Sequence, residues 1–169
     1  DDVVPHLQER GHTTVVIDRL PSAADASADV GGLADDVAVV RAALDEAGGD
    51  VVLVGHSYGG MVITEVADHP AIGRSVYVAA FWPPAGMSLL DLVGDAPPAD
   101  WFSPTDDGVL ALGDFDAVHR AVAADFDRAA FMPIYERMGV QSLASFATPS
   151  SAPPRSHPTT YVICTQDRA

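Results

Sequence analysis

Four apolar residues, Val51-Val52-Leu53-Val54, run straight into Gly55-His56-Ser57-Tyr58-Gly59, and a helix-compatible stretch leaves from Gly59. No other feature constrains the chain as tightly. A short apolar run broken by glycine suits a strand covered on both faces, as in a parallel sheet. Entering a helix at once demands a tight turn, with the central serine at a strained backbone angle. Glycines two residues before and two after Ser57 let neighbouring backbone approach without a Cβ clash. Ser57 Oγ then projects at the carboxyl end of the strand, where open α/β sheets bind ligands. The Tyr58 N–H, at the helix start, points where a tetrahedral oxyanion would form. A glycine-rich turn whose serine merely caps the helix is the competing reading. The strand before and the helix after favour a nucleophile. A P-loop is excluded because no lysine follows the glycines, and Gly-x-Gly-x-x-Gly is not present here.

The flanking text repeats the same style. Residues 2–10 place Val3, Val4 and Leu7 on one helical face and stop at Gly11. Thr13 to Asp18 is a β-branched run that predicts a second buried strand. Leu33, Val37, Val40, Leu44 and Ala47 predict a helix over 33–47, with Asp35 and Asp36 in the first turn, where the macrodipole favours negative charge. Gly48-Gly49 end it. A helix over 59–68 stops at Pro70, strand 75–81 stops at Pro83-Pro84, and a last strand covers 159–164. The alternation predicts an α/β fold with a mainly parallel sheet and flanking helices. Residues 1–81 and 158–169 make this core. Residues 82–157 are irregular, with helical patches at 115–126 and 133–138, and read as a helical insertion laid over the sheet.

Composition excludes other classes. The chain has 169 residues, 48 % of them apolar and 20 % charged, which fits one globular domain and argues against disorder. A net charge of −15 repels phosphate backbones and anionic lipids, so nucleic acid and membrane surfaces are not expected partners. Cys164 is the lone cysteine, which rules out an internal disulfide and fits a reducing, cytoplasmic setting.

A serine hydroxyl needs an imidazole to take its proton and an acid to orient that imidazole. On this kind of turn the partners follow in the chain order Ser, acid, His. Asp167, just after the last strand, fits the acid; Asp18 precedes Ser57 and breaks the order. No histidine follows Asp167. His56 adjoins Ser57 but should point away from it, and His6, His12, His69, His119 and His157 sit where surface, helix-end or insertion roles suit them better.

Three runs carry a resemblance. They are Gly11-His12-x-x-Val15-x-x-x-Asp18, then Val52-x-Val54-Gly55-His56-Ser57-Tyr58-Gly59-Gly60-Met61, and Tyr161-Val162-Ile163-Cys164-Thr165-x-Asp167. The chain resembles the α/β-hydrolase superfamily, and within it the branch of small esterases, plant-hormone methylesterases and hydroxynitrile lyases. The resemblance implies Ser57 as nucleophile, the Tyr58 N–H as half an oxyanion hole, and Asp167 as acid. It implies that residues 82–157 form a cap, with Phe81, Trp82 and Trp101 among the aromatics shaping a substrate pocket. A small carboxylic ester is the implied substrate, with no metal or organic cofactor. The family's opening strand with its His-Gly loop and its closing strand with the triad histidine are not found here. The chain is therefore expected to be a piece of a longer product, weakly active or inactive as written. A proton-relay lyase and a non-catalytic binding module for a small apolar ligand are the alternatives. Oligomeric state is not legible.

Overall fold

The computed structural model describes residues 3–25, 30–94 and 99–167. The chain opens with α1 (Val3–Glu9), β1 (Ala23–Ala24), α2 (Leu33–Ala47), β2 (Val51–Ser57), α3 (Gly59–Glu65) and β3 (Ile72–Ala80). It continues through α4 (Leu89–Val93), β4 (Phe102–Pro104), β5 (Val109–Leu112), α5 (Phe115–Val122) and α6 (Arg128–Tyr135). It closes with β6 (Val140–Ser142), α7 (Leu143–Ala147) and β7 (Thr159–Val162).

Strands β2, β3 and β7 form a parallel sheet in that order, with β3 in the middle. Helix α2 covers the predicted span because its apolar residues share a face. Leu33, Val40 and Leu44 are buried against Met61, Val62 and Val66, and Ile72 and Leu89 complete the cluster. The Asp35 carboxylate accepts the Gly32 N–H at 2.8 Å to start α2, and Gly48, at φ 83°, ends it in the left-handed conformation glycine tolerates best.

Residues 82–157 carry the predicted helices and also strands β4, β5 and β6, which join β1 in a small antiparallel sheet ordered β1-β6-β5-β4. Strands of two to four residues leave no readable alternation, so the sequence does not announce this sheet. The insertion has its own core: Val118, Ala123 and Phe131 pack with Trp101, Leu112, Phe115 and Tyr135. Helix α6 starts earlier than the patch at 133–138, because the Asp127 carboxylate caps it by accepting the Ala129 and Ala130 N–H groups.

The predicted strand at 13–18 is a correction. Residues 12–20 take no strand hydrogen bonds here, and Val15 is 72 % exposed. β-Branched composition describes what fits a sheet, but pairing decides whether a strand forms, and no described strand lies beside this run. The same cause leaves β2 at the sheet edge, with Val52 and Val54 exposed rather than covered. No helix among the described residues is long and apolar enough to cross a membrane.

Met61 is fully buried between α2 and the sheet. Met61→Ala should cost about 3 kcal/mol from lost transfer energy and the cavity left behind. Val15→Ser should stay within about 0.5 kcal/mol, as expected of an exposed, unpaired position. Urea midpoints of the two variants check both values, and a large loss for Val15→Ser would contradict the unpaired run.

Candidate active site

The site is built on the β2–α3 junction. Ser57 ends β2 with φ 50°, a left-handed backbone angle that costs a non-glycine residue energy and persists only when its surroundings impose it. Those surroundings are close. A Cβ on Gly55 would lie 2.7 Å from the Gly59 carbonyl oxygen, and one on Gly60 would lie 2.3 Å from the Phe81 carbonyl oxygen. At Gly59 a Cβ would meet nothing within 4 Å. The glycines that allow close approach are therefore Gly55 and Gly60, whereas Gly59 is sterically free. The sequence reading assigned that role to Gly55 and Gly59 and missed Gly60, whose neighbour lies on a strand far along the chain.

The next strand locks the junction. The Phe81 N–H donates to the Ser57 carbonyl at 3.0 Å, and the β2–β3 register shifts between His56 and Ser57. Tyr161 of β7 braces the same strand end, its hydroxyl donating to the Ala80 carbonyl (2.6 Å) and accepting the Ala80 N–H (3.1 Å). Neither Gly60 nor Tyr161 carried this role in the sequence reading. Their signal is the wider run Gly55–Met61 and the Tyr at the centre of the last strand.

Tyr58 begins α3 in helical conformation, its carbonyl accepting the Met61 N–H. Its side chain is buried, and its hydroxyl donates to the Asp36 carboxylate at 2.6 Å. Burial first, and the Asp36 bond second, push the phenol far above the ordinary tyrosine range. Phe81 is part-buried beside Ser57. Trp82 stacks on Tyr77 at 4.8 Å with the Arg155 guanidinium over its ring at 4.5 Å. Trp101 instead packs inside the insertion's own core, edge-on to Phe102. Asp167 is exposed, in a turn where its N–H donates to the Cys164 carbonyl. Because β3 separates β2 from β7, Ser57 and the β7 exit share the carboxyl end of the sheet, two strand spacings or about 10 Å apart.

The described histidines stand elsewhere. His6 lies near Glu9, His69 near Asp45, and His119 meets the Phe126 carbonyl. His157 meets the Ser75 hydroxyl at 2.7 Å, at the opposite end of β3 from Ser57. His12 and His56 are exposed. A cavity of about 370 Å³ opens between residues 17–24 and the insertion, lined by Ile17, Asp18, Leu20, Leu112, Met138 and Val140 among others, and Ser57 is not in its wall.

The sequence profile of the Alpha/beta hydrolase family matches residues 1–169. The chain belongs to the α/β-hydrolase family. An α/β-hydrolase of the fungus Aspergillus novofumigatus, nvfD, is 31 % identical over 149 residues, which is 80 % of this chain and 60 % of that protein. A carbendazim-hydrolyzing esterase of Nocardioides sp. SG-4G is 57 % identical over 53 residues, 30 % of this chain and 22 % of the esterase. The crystal structure of a pyrethroid hydrolase from Sphingobium faniae JZ-2 superposes with a TM-score of 0.75 at 25 % identity, covering 90 % of this chain and 66 % of that one. The chain thus spans well under two thirds of the length of the curated relatives it matches.

Two predictions test the junction and the remote histidine. Gly60→Ala forces a Cβ onto backbone and should destabilise by about 2 kcal/mol or more. Gly59→Ala should be neutral or stabilising by up to about 1 kcal/mol, as alanine is the better helix former. Chemical denaturation of both variants reads the contrast. Burial, and then the Arg155 charge, lower the His157 imidazole below its ordinary value of 6.5. A group whose folded pKa is depressed gives stability above its unfolded pKa and loses it as the pH falls. Stability should therefore decline below pH 6.5, and His157→Gln should make that decline shallower in a pH series of melting temperatures.

Proposed function

We propose that this chain carries the nucleophilic half of a serine ester hydrolase. Ser57 Oγ attacks the ester carbonyl carbon as its proton passes to an imidazole. The carbonyl oxygen becomes an oxyanion facing the Tyr58 N–H. Collapse of that intermediate returns the proton to the leaving alcohol and leaves an acyl group on Ser57, which water then removes by the same sequence of steps. Asp167 orients the imidazole. His6, His69, His119 and His157 are engaged with other partners, and none of them is assigned as that imidazole. Phe81 and Trp82, which follow the strand paired to Ser57, form the near wall of the substrate site. Trp101 contributes only through the packing of the cap over it. The substrate is a small carboxylic ester, in keeping with the esterase and the pyrethroid hydrolase among the similar proteins.

The observation that carries this reading is the φ of 50° at Ser57. A serine that only capped a helix would have no need of left-handed geometry, nor of two nearby glycines at which a Cβ would fall under 3 Å from backbone. The engagement of His6, His69, His119 and His157 with other partners favours one competing reading, a hydrolase-like module that binds without turnover.

Added imidazole separates the two. p-Nitrophenyl acetate hydrolysis by the purified chain, corrected for free imidazole, should rise at least about tenfold with imidazole present, since an orphaned serine retains the Tyr58 half of its oxyanion hole. Ser57→Ala should abolish the rise, and an acyl adduct should map to Ser57. An imidazole response that survives Ser57→Ala would overturn the nucleophile. Unchanged slow rates with tight ester binding would support the binding module.

A further inference from the structure

Asp35 and Asp36 stand together in the first turn of α2, but only Asp35 does what that position suggests, capping the helix at Gly32. Asp36 turns inward and is fully buried. Its carboxylate accepts the Ser22 N–H at 2.8 Å and the Tyr58 hydroxyl at 2.6 Å. A carboxylate is costly to bury, and two good donors offset that cost only while both stay in place. One donor belongs to the residue directly after Ser57. The other belongs to the loop on which the cap rests.

Through Ser22 that loop is tied to the cap at two points. The Ser22 carbonyl accepts the Ser142 N–H at 2.7 Å, its hydroxyl accepts from the Gln141 amide at 2.7 Å, and the same amide donates to Ser145 at 2.8 Å. The Tyr58 ring stacks on Phe146 of α7 at 5.4 Å. Tyr58 thus touches the cap through its ring and reaches it again through Asp36 and Ser22.

We propose that Asp36 is a positioning residue: through the Tyr58 hydroxyl it fixes the backbone N–H that faces the oxyanion, and through Ser22 it holds β6 and α7 of the cap in register with the nucleophile turn. The proposal rests on Ser57 being the nucleophile. Cap docking and oxyanion-hole geometry are then one property of the fold. A cap displaced from Ser22 loosens the Tyr58 amide, and a lost phenol bond loosens the cap.

Three variants test it: Asp36→Asn, Tyr58→Phe, and the apolar pair Asp36→Leu with Tyr58→Phe, which removes both polar groups together and should fold where a single change does not. With imidazole added, kcat for p-nitrophenyl acetate should fall at least about tenfold in each, with KM within about twofold, because the lost interaction acts on the transition state. The pair should be no slower than the slower single variant. Unchanged kcat with a lowered melting temperature would reduce Asp36 to a structural group and overturn the proposal, as would additive losses. If the unaltered chain shows no Ser57-dependent turnover, the nucleophile reading fails, and amide ¹H–¹⁵N spectra decide positioning on their own. Joint displacement of the Tyr58 signal and those of 142–147 in Tyr58→Phe supports the coupling, and signals that stay put overturn it.

Discussion

The turn at Ser57 is the constraint on which the rest of the molecule depends. A non-glycine residue at φ 50° between a strand and a helix is held by contacts from two directions. The start of α3 sits against Gly55, and the end of β3 sits against Gly60 and hydrogen-bonds Ser57. Those contacts fix where α3 leaves the sheet, and therefore which faces of Met61, Val62 and Val66 meet α2. Tyr161, from the third strand, clamps the same strand end by both hydrogen-bonding groups of Ala80. The core packs around the turn rather than merely beside it.

Buried and half-buried polar groups join the cap to this core. Residues 101–135 hold an apolar cluster of their own, whereas Leu89 and Phe146 pack into the α2–α3 cluster. The Glu65 carboxylate at the end of α3 accepts from the Ser150 hydroxyl and from both the N–H and the hydroxyl of Ser151. Beside it the neck closes, with the Gly86 N–H on the Ser150 carbonyl and the Ser150 N–H on the Met87 carbonyl. Ser22 makes the second junction, its carbonyl accepting the Ser142 N–H and its hydroxyl the Gln141 amide. Directional bonds of this kind set geometry more sharply than apolar contact, and lose more when one partner leaves.

Much of this was legible in the residues because it is local. The periodicity from Leu33 to Ala47 gave α2 its observed bounds, and glycine placement marked the turn before any coordinate was known. The alternation of helices and strands announced a parallel sheet, which β2, β3 and β7 form. What stayed hidden depends on partners distant in sequence. Composition at 13–18 describes a strand, yet a strand needs a neighbour. Asp36 reads from sequence only as a first-turn charge that the macrodipole favours, because nothing near it in the chain says that Ser22 and Tyr58 converge on its carboxylate. Gly60 looked like one glycine of several until the Phe81 carbonyl was found against it. Asp167 follows β7 in an exposed turn.

A crystal structure of the chain after reaction with a fluorophosphonate in imidazole buffer tests the account most directly. The account predicts phosphorus bonded to Ser57 Oγ, a positive φ retained at Ser57, and a phosphonyl oxygen about 3 Å from the Tyr58 nitrogen. Phosphorus on another residue, no adduct at all, or a phosphonyl oxygen turned away from the Tyr58 N–H would contradict it.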